Sequence, residues 1–139
     1  MIGNLISRLS AEVADLKFVG EAADFQAASD KNPNVGPAAY VFSTGDSAPV
    51  SGAIGVVRQK VTETVAVVYA VRNVASKQGS GNAAPMRALS KDCRKALIGW
   101  QPDTGYSPLE FSSGNLLAFR DGWQWWMDTF RTQYTLNQS

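Results

Sequence analysis

The chain has 139 residues, a length typical of one domain with a substantial hydrophobic core, and we expect a single domain over residues 1–139. Its 13 Lys and Arg and 12 Asp and Glu leave a net charge of +1, without the clustered charge of a nucleic-acid arm or a polybasic membrane patch. The absence of histidine excludes histidine catalysis, and a lone cysteine, Cys93, excludes an internal disulfide and argues against a metal site. No apolar stretch approaches the roughly 18 residues of a membrane span.

The N-terminal segment predicts an amphipathic helix. Apolar residues recur from Ile2 to Leu16 at intervals of three and four, so the helix is expected over about residues 2–17. Arg8 and Glu12 lie on its polar side, and the segment lacks the pattern of a signal peptide.

The next segment predicts one short strand, and the stretch before it leaves a short helix open. The alanine-rich stretch of residues 21–28 is compatible with a short helix. A loop dense in turn residues, 30–37, leads to a strand over residues 38–43.

The longest β pattern of the chain follows a flexible, glycine-containing stretch, residues 44–55. Apolar residues alternate with polar ones from Val57 onward and become nearly continuous from Val65 to Val71. Continuous apolarity is typical of a central strand that is covered on both faces. The polar part, Arg58–Thr64, is expected to project from the body.

A second helix is predicted after the glycine-rich loop of residues 77–81. Asn82 is the expected N-cap, Pro85 falls in the first turn and Gly99 provides the C-terminal stop. The inward face is formed by Met86, Leu89, Cys93 and Leu97, and the solvated stripe by Arg87, Lys91, Arg94 and Lys95.

The C-terminal third predicts strands. Residues 109–111 and 115–120 are interpreted as a hairpin around Ser112-Ser113-Gly114, and Asp121-Gly122 as a tight turn into the strand that starts at Trp123. The order α, β, β, α, β, β, β predicts an α+β fold with a mostly antiparallel sheet and the two main helices on one face.

Adjacent tryptophans in the last strand must point to opposite faces of the sheet. Trp123, Trp125 and Met127 take one face, whereas Trp126, Phe130 and Tyr134 take the other. A sheet that is apolar on both faces needs two covers, and two helices on one side supply only one. We therefore expect part of this surface to be covered by self-association.

No motif supports catalysis or cofactor binding. Gly79-Ser80-Gly81 lacks the Gly-Lys-Ser/Thr of a phosphate-binding loop, so a plain loop is favoured. A Ser-His nucleophile is impossible, and a Ser-Lys arrangement has no support in the spacing. We predict a non-enzymatic protein without a catalytic, cofactor or metal site.

Two charged features carry alternative interpretations. The helical stripe from Arg87 to Lys95 is favoured as a solvated face over a phosphate-binding one. Asp128, between Trp126 and Phe130, is interpreted as one half of an ion pair, its expected partner being Arg58, Arg72 or Arg120 on another strand or a cation of another subunit.

The chain resembles the tail terminator-like proteins of long-tailed (siphovirus, transposable-type) phages. The blocks that carry the resemblance, in order, are Pro37–Val41, Val57–Thr64, Gly99–Pro102, Gly105–Phe111 and Trp125–Phe130.

The resemblance implies a structural virion protein at the head-proximal end of the tail, assembled in the host cytoplasm. Such proteins form a ring, typically a hexamer, that caps the tail tube, ends its polymerisation and presents the surface for head–tail joining. The implied partners are copies of the chain itself, the tail tube protein and head–tail connector proteins. DNA only passes through the lumen, and no membrane is involved.

Two other functions remain open. One is another head–tail connector or completion protein; the other is a small DNA-binding module that uses the basic helix of residues 86–97. The candidate oligomer and tube interface consists of Arg58, Lys60, Thr62, Glu63, Trp125, Trp126, Asp128 and Phe130, and the loops of residues 43–55 and 76–82 are further candidate contact elements.

Overall fold

A computed structural model describes residues 1–72 and 84–138. Its elements are α1 (Ile2–Glu12), β1 (Phe18–Gly20), α2 (Ala22–Lys31), β2 (Ala38–Ser47), β3 (Arg58–Arg72), α3 (Ala84–Leu97), β4 (Glu110–Arg120) and β5 (Trp123–Asn137). The glycine-rich loop of residues 77–81, the contact loop of residues 76–82 and the expected N-cap Asn82 lie outside the described residues.

The strands form one sheet in the order β1-β2-β3-β5-β4. β1 is parallel to β2, and the other pairs are antiparallel, which confirms the predicted α+β class. β3 lies in the centre and is buried without interruption from Val65 to Val71, as its continuous apolarity predicted.

The main core lies between one face of the sheet and the helices α1 and α3, so the predicted placement of both main helices on one face is confirmed. Alternate residues of β3 point into this core beneath the helices, as expected from the two-residue period of a strand. The shared cluster contains Val65, Val67, Tyr69 and Val71 of β3 together with Leu5, Leu9, Leu89 and Leu97 of the helices.

Helix α1 is shorter than its apolar period predicted. Val13 adopts an extended conformation (φ −116°, ψ 90°), and its N–H still donates to the carbonyl of Leu9 at 3.0 Å. Val13 is nevertheless buried, so the apolar pattern continues into the core through a turn. Lys17 then donates to the carbonyl of Pro37 at 2.8 Å and starts the pairing of β1 with β2.

Helix α2 covers part of the opposite face, where a cover from another subunit had been expected. A capping box between Glu21 and Asp24 starts the helix. Phe25 packs edge-on against Trp125 at 6.2 Å between ring centroids, and Tyr40 stacks on the same indole at 6.3 Å. Trp125 is only 3% exposed, so this aromatic set is buried within one chain.

The predicted hairpin over residues 109–120 is wrong, because β4 is one continuous edge strand with register shifts near Ser112 and Leu117. By contrast, Asp121 and Gly122 have φ of 53° and 78°, the two positive values that a type I′ turn requires, so the predicted tight turn is confirmed. β2 also runs to Ser47, beyond its predicted end, with a register shift between Ser43 and Gly45.

Candidate interaction surfaces

Asp128 is the centre of a buried polar cluster beneath α3. Its carboxylate is fully buried and accepts hydrogen bonds from Tyr69 Oη at 2.9 Å, Ser90 Oγ at 2.7 Å and Trp126 Nε1 at 2.8 Å. Arg94 binds both oxygens, Nε to Oδ2 at 3.0 Å and Nη2 to Oδ1 at 2.7 Å. Such a bidentate arginine–carboxylate pair is among the strong ion pairs in proteins.

The neighbouring strand is shaped to leave room for this ion pair. A Cβ atom on Gly114 of β4 would lie 2.6 Å from Arg94 Nη2 and 2.8 Å from Asp128 Oδ1. The Arg94 guanidinium also lies 4.1 Å from the ring centroid of Phe111. The backbone of β4 therefore closes over the pair only because residue 114 has no side chain.

The cluster confirms that Asp128 belongs to an ion pair but corrects the expected partner. Arg94 comes from a helix, whereas the expected partners within the chain, Arg58, Arg72 and Arg120, lie on strands. The pairing removes Arg94 from the basic stripe of α3, which leaves fewer cations to meet phosphate. Asp128 therefore has a structural role inside the domain.

Burial also sets the acidity of two groups beside this cluster. It raises the pKa of the Cys93 thiol to about 12; a hydrogen bond with Tyr69 opposes the shift, and the charge of Asp128 reinforces it. Burial is also the main reason that the pKa of Tyr69 lies well above its ordinary value. Both groups are protonated at neutral pH, which leaves Cys93 without the reactivity of a thiolate.

The structure separates the predicted interface residues into two groups. Asp128 and Phe130 are fully buried and Trp125 nearly so, so none of these three side chains offers a contact surface on the folded chain. Trp126 is half-buried in the wall of a groove, described below.

The polar part of β3 forms an exposed ribbon with the end of β5. Pairing of β3 with β2 ends at Thr62, and Arg58 lies opposite Asn137 of β5. Arg58 and Lys60 are exposed, and Thr62 and Glu63 are half-buried. Strand alternation places Arg58, Lys60 and Thr62 on the α2 face of the sheet and Glu63 on the α1–α3 face.

A cluster of tyrosines and acids, which the sequence had not indicated, surrounds Glu63. Tyr134 Oη donates to Asp46 Oδ2 at 3.1 Å, and Tyr106 packs on Tyr134 at 5.2 Å between ring centroids. Burial, followed by the charge of Glu63, raises the pKa of Tyr106. We call Asp46, Glu63, Tyr106 and Tyr134 the tyrosine–acid cluster.

Residues 48–57, here called the arm, extend from the same end of the sheet. Val50 is 92% exposed and Ile54 is 99% exposed. Hydrogen bonds fix the base of the arm: Arg58 N donates to Ser51 Oγ at 3.0 Å, and Gln59 Nε2 donates to the carbonyl of Pro49 at 3.1 Å. The arm thus presents large aliphatic side chains to solvent on an anchored base.

The α3–β4 groove lies towards the other end of the sheet and has a volume of about 750 Å³. Its apolar lining comes from Met86, Ile98, Leu116 and Trp126, and its basic rim from Arg87, Lys91 and Lys95. The side chain of Gln124 also lines it. Such a size suits a few side chains of a partner.

Other classes of site find little support in the described ranges. Residues 1–72 and 84–138 contain no group of three His, Cys, Asp or Glu residues placed to hold a metal ion. None of the helices described is long and apolar enough to cross a membrane.

Comparison with known proteins gives a family. None of the curated proteins matches the chain significantly. The family model described as phage tail terminator protein matches residues 2–139. Because this match covers nearly the whole sequence, the chain belongs to the phage tail terminator family and is a structural protein of the virion tail.

Proposed function

We propose that the protein caps the head-proximal end of the phage tail tube as a homo-oligomeric ring, a hexamer. The ring ends polymerisation of the tube protein and forms the surface that head–tail connector proteins join. The chain acts without catalysis or a cofactor, and DNA only passes through the lumen of the ring. The match of residues 2–139 to the tail terminator family carries this proposal.

The distribution of exposed apolar side chains supports assembly into a ring. The arm and the α3–β4 groove lie at different places on the surface, and each exposes aliphatic groups. Exposed apolar patches of this kind mark contact sites for proteins. Contacts between two different surfaces of identical subunits generate closed rings when the rotation between neighbours closes.

A ring that caps the tube must have a high affinity for the tube end on one side and a low affinity for further tube protein on the other. The ring must bind the end of the tube more tightly than another turn of tube protein does, and it must offer the next turn no complementary surface. We assign one polar ribbon to the tube and the other surfaces to neighbouring copies, so that only one side of the ring would bind tube protein. Arg58, Lys60 and Thr62 are our candidates for that ribbon, because they lie near one end of the sheet on the α2 face.

Deletion of the gene from the phage tests the proposal directly. Electron microscopy of the lysate should show tails of abnormal, excessive length that do not join filled heads, and the wild-type gene supplied in trans should restore both properties. Normal-length tails that join filled heads without the protein would overturn the proposal. Tails of normal length that fail to join would instead identify a connector or completion protein.

A further inference from the structure

We propose that the arm of one copy inserts into the α3–β4 groove of the next copy, and that this contact links neighbours in the ring. The inference rests on the proposed ring but concerns only the contact between copies. Val50 and Ile54 of the arm are the side chains that would enter the groove. The occupant of the groove in this proposal is a second copy of the chain.

The arm has the properties of an inserting element. Its two large aliphatic side chains are almost entirely exposed, and their burial in a neighbour would be favourable because apolar surface is removed from water. Ser51 and Pro49 are already hydrogen-bonded to the start of β3, so the base of the arm needs little further ordering. A preorganised segment loses less conformational entropy on binding.

The groove has exposed apolar side chains and, within the described part of the chain, one buried acceptor without a donor, and an inserted arm would cover the former and pair with the latter. Leu116 and Ile98 at its margin are each more than half exposed. Gln124 is only 8% exposed, and its Oε1 atom has no hydrogen-bond partner within the described ranges. A buried acceptor without a donor is costly. The backbone N–H groups of an inserted segment are donors of the required kind.

The arm of one chain cannot reach the part of its own groove that is lined by Leu116 and Trp126, which are paired across β4 and β5. Leu136, beside the base of the arm, and Trp126, in the groove, are ten positions apart on β5, a separation of about 33 Å at the rise of a β-strand. From Ser51, fixed beside Arg58, the three residues to Ile54 reach about 10 Å. The arm must therefore enter the groove of another molecule, which makes the contact heterologous.

Charge favours the same pairing of surfaces. Asp46 and Glu63 of the tyrosine–acid cluster lie at the foot of the arm, and the cations at this end of β3 point to the opposite face. The rim of the groove carries Arg87, Lys91 and Lys95. Insertion of the arm brings the acidic foot towards the basic rim, and such complementarity fixes the orientation of a contact.

Disulfide trapping on the purified protein tests this contact. In a Cys93→Ala background, Ile54→Cys is combined with Leu116→Cys or with Ile98→Cys, and mild oxidation is followed by non-reducing electrophoresis. We expect a ladder of covalent oligomers for at least one pair, because each molecule can then bind a neighbour at both surfaces. Mixing the single variants Ile54→Cys and Leu116→Cys should give mainly heterodimers.

The matched control combines Ile54→Cys with Val35→Cys, an exposed apolar position outside the groove. If neither groove pair gives more covalent oligomer than this control pair, the proposed contact is wrong. The measurement needs no tail tube or phage particle. Covalent oligomers can therefore form even if the deletion experiment rejects a capping function. Failure of the proposed contact can thus be told apart from failure of the proposed function.

Discussion

At the scale of single residues, Asp128 accepts hydrogen bonds from four side chains while it is fully buried. Two strands and one helix supply the donors to its carboxylate, so the cluster fixes how α3 sits on the sheet. An ion pair in such a place is no stronger than a good apolar contact, but loss of one partner leaves the other without compensation. The cluster therefore favours one arrangement of α3 by making the alternatives costly.

Substitution Asp128→Ala should lower the free energy of unfolding by about 3–5 kcal/mol, because it leaves a guanidinium and several buried donors without their acceptor. Urea denaturation followed by tryptophan fluorescence measures the change. Lys91→Ala, on the exposed side of the same helix, is the control and should stay within about 0.5 kcal/mol of the wild type. Equal losses in the two variants would show that the carboxylate has no special structural role.

Stability should fall as the pH rises above 9. The pKa of Cys93 is raised from 9.0 to about 12 in the folded state, so the unfolded chain releases this proton first and is favoured between those values. The expected slope is about 1.4 kcal/mol per pH unit for this group. Urea midpoints between pH 8 and 11 measure it, and the Cys93→Ala variant should show a shallower decline. Identical slopes in both proteins would contradict the assignment.

At the scale of the elements, periodicity predicted α1 and α3 because each has one strongly apolar face, whereas β3 and β5 were predicted from runs that are apolar on both faces. The hairpin prediction over residues 109–120 failed because Ser112-Ser113-Gly114 has the composition of a turn. Gly114 is instead present because β4 passes over the Arg94–Asp128 pair, a contact between distant parts of the chain. β1 has three residues, too few for a periodic pattern.

The predicted interface was recovered only in part. The sequence pointed to the polar end of β3, which is exposed, and to aromatic residues of β5, which the structure mostly buries. For Trp125 the error arose because α2 has only one large apolar residue, Phe25, although this helix covers the indole. The groove and the tyrosine–acid cluster combine residues from distant segments, so no local pattern could indicate them.

Gly114→Ala should destabilise the domain by about 1–3 kcal/mol, since the added methyl group would overlap the ion pair and force it to move. Thermal unfolding followed by circular dichroism measures the change. Gly3→Ala on α1 is the control, because a Cβ there meets nothing within 4 Å, and it should not lower the melting temperature. A Gly114→Ala protein as stable as this control would refute the proposed close approach.

At the scale of the whole molecule, different surfaces serve different contacts in the proposed ring. The arm and the groove are assigned to neighbouring copies, and the polar ribbon on the α2 face is assigned to the tube. The ribbon follows the arm directly, but Arg58 holds the arm through its backbone N–H, so a change of the ribbon side chains need not disturb the contact between neighbours. The assignment can therefore be tested surface by surface.

The double substitution Arg58→Glu and Lys60→Glu should leave the fold intact, because both side chains are exposed. It should weaken attachment to the tube, since reversal of charge at the margin of an interface slows association. Circular dichroism checks the fold, and complementation of the deletion phage, scored by tail length, checks attachment. Arg87→Glu with Lys91→Glu, on the groove rim, is the comparison that should impair the contact between copies instead. Full complementation by the ribbon variant would contradict its assignment to the tube.

The long pairing of β3 with β5 has a mechanical consequence. Fifteen residues of each strand face each other without a register shift, from Arg58 opposite Asn137 to Arg72 opposite Trp123. In the proposed ring, a force applied to the arm acts on the start of β3. The opposing force at the groove acts near the start of β5. The two strands are then drawn past each other along their length, at right angles to their hydrogen bonds. Such a load strains all the bonds of the ladder together and opens none of them first, so the proposed ring would resist extension along its circumference.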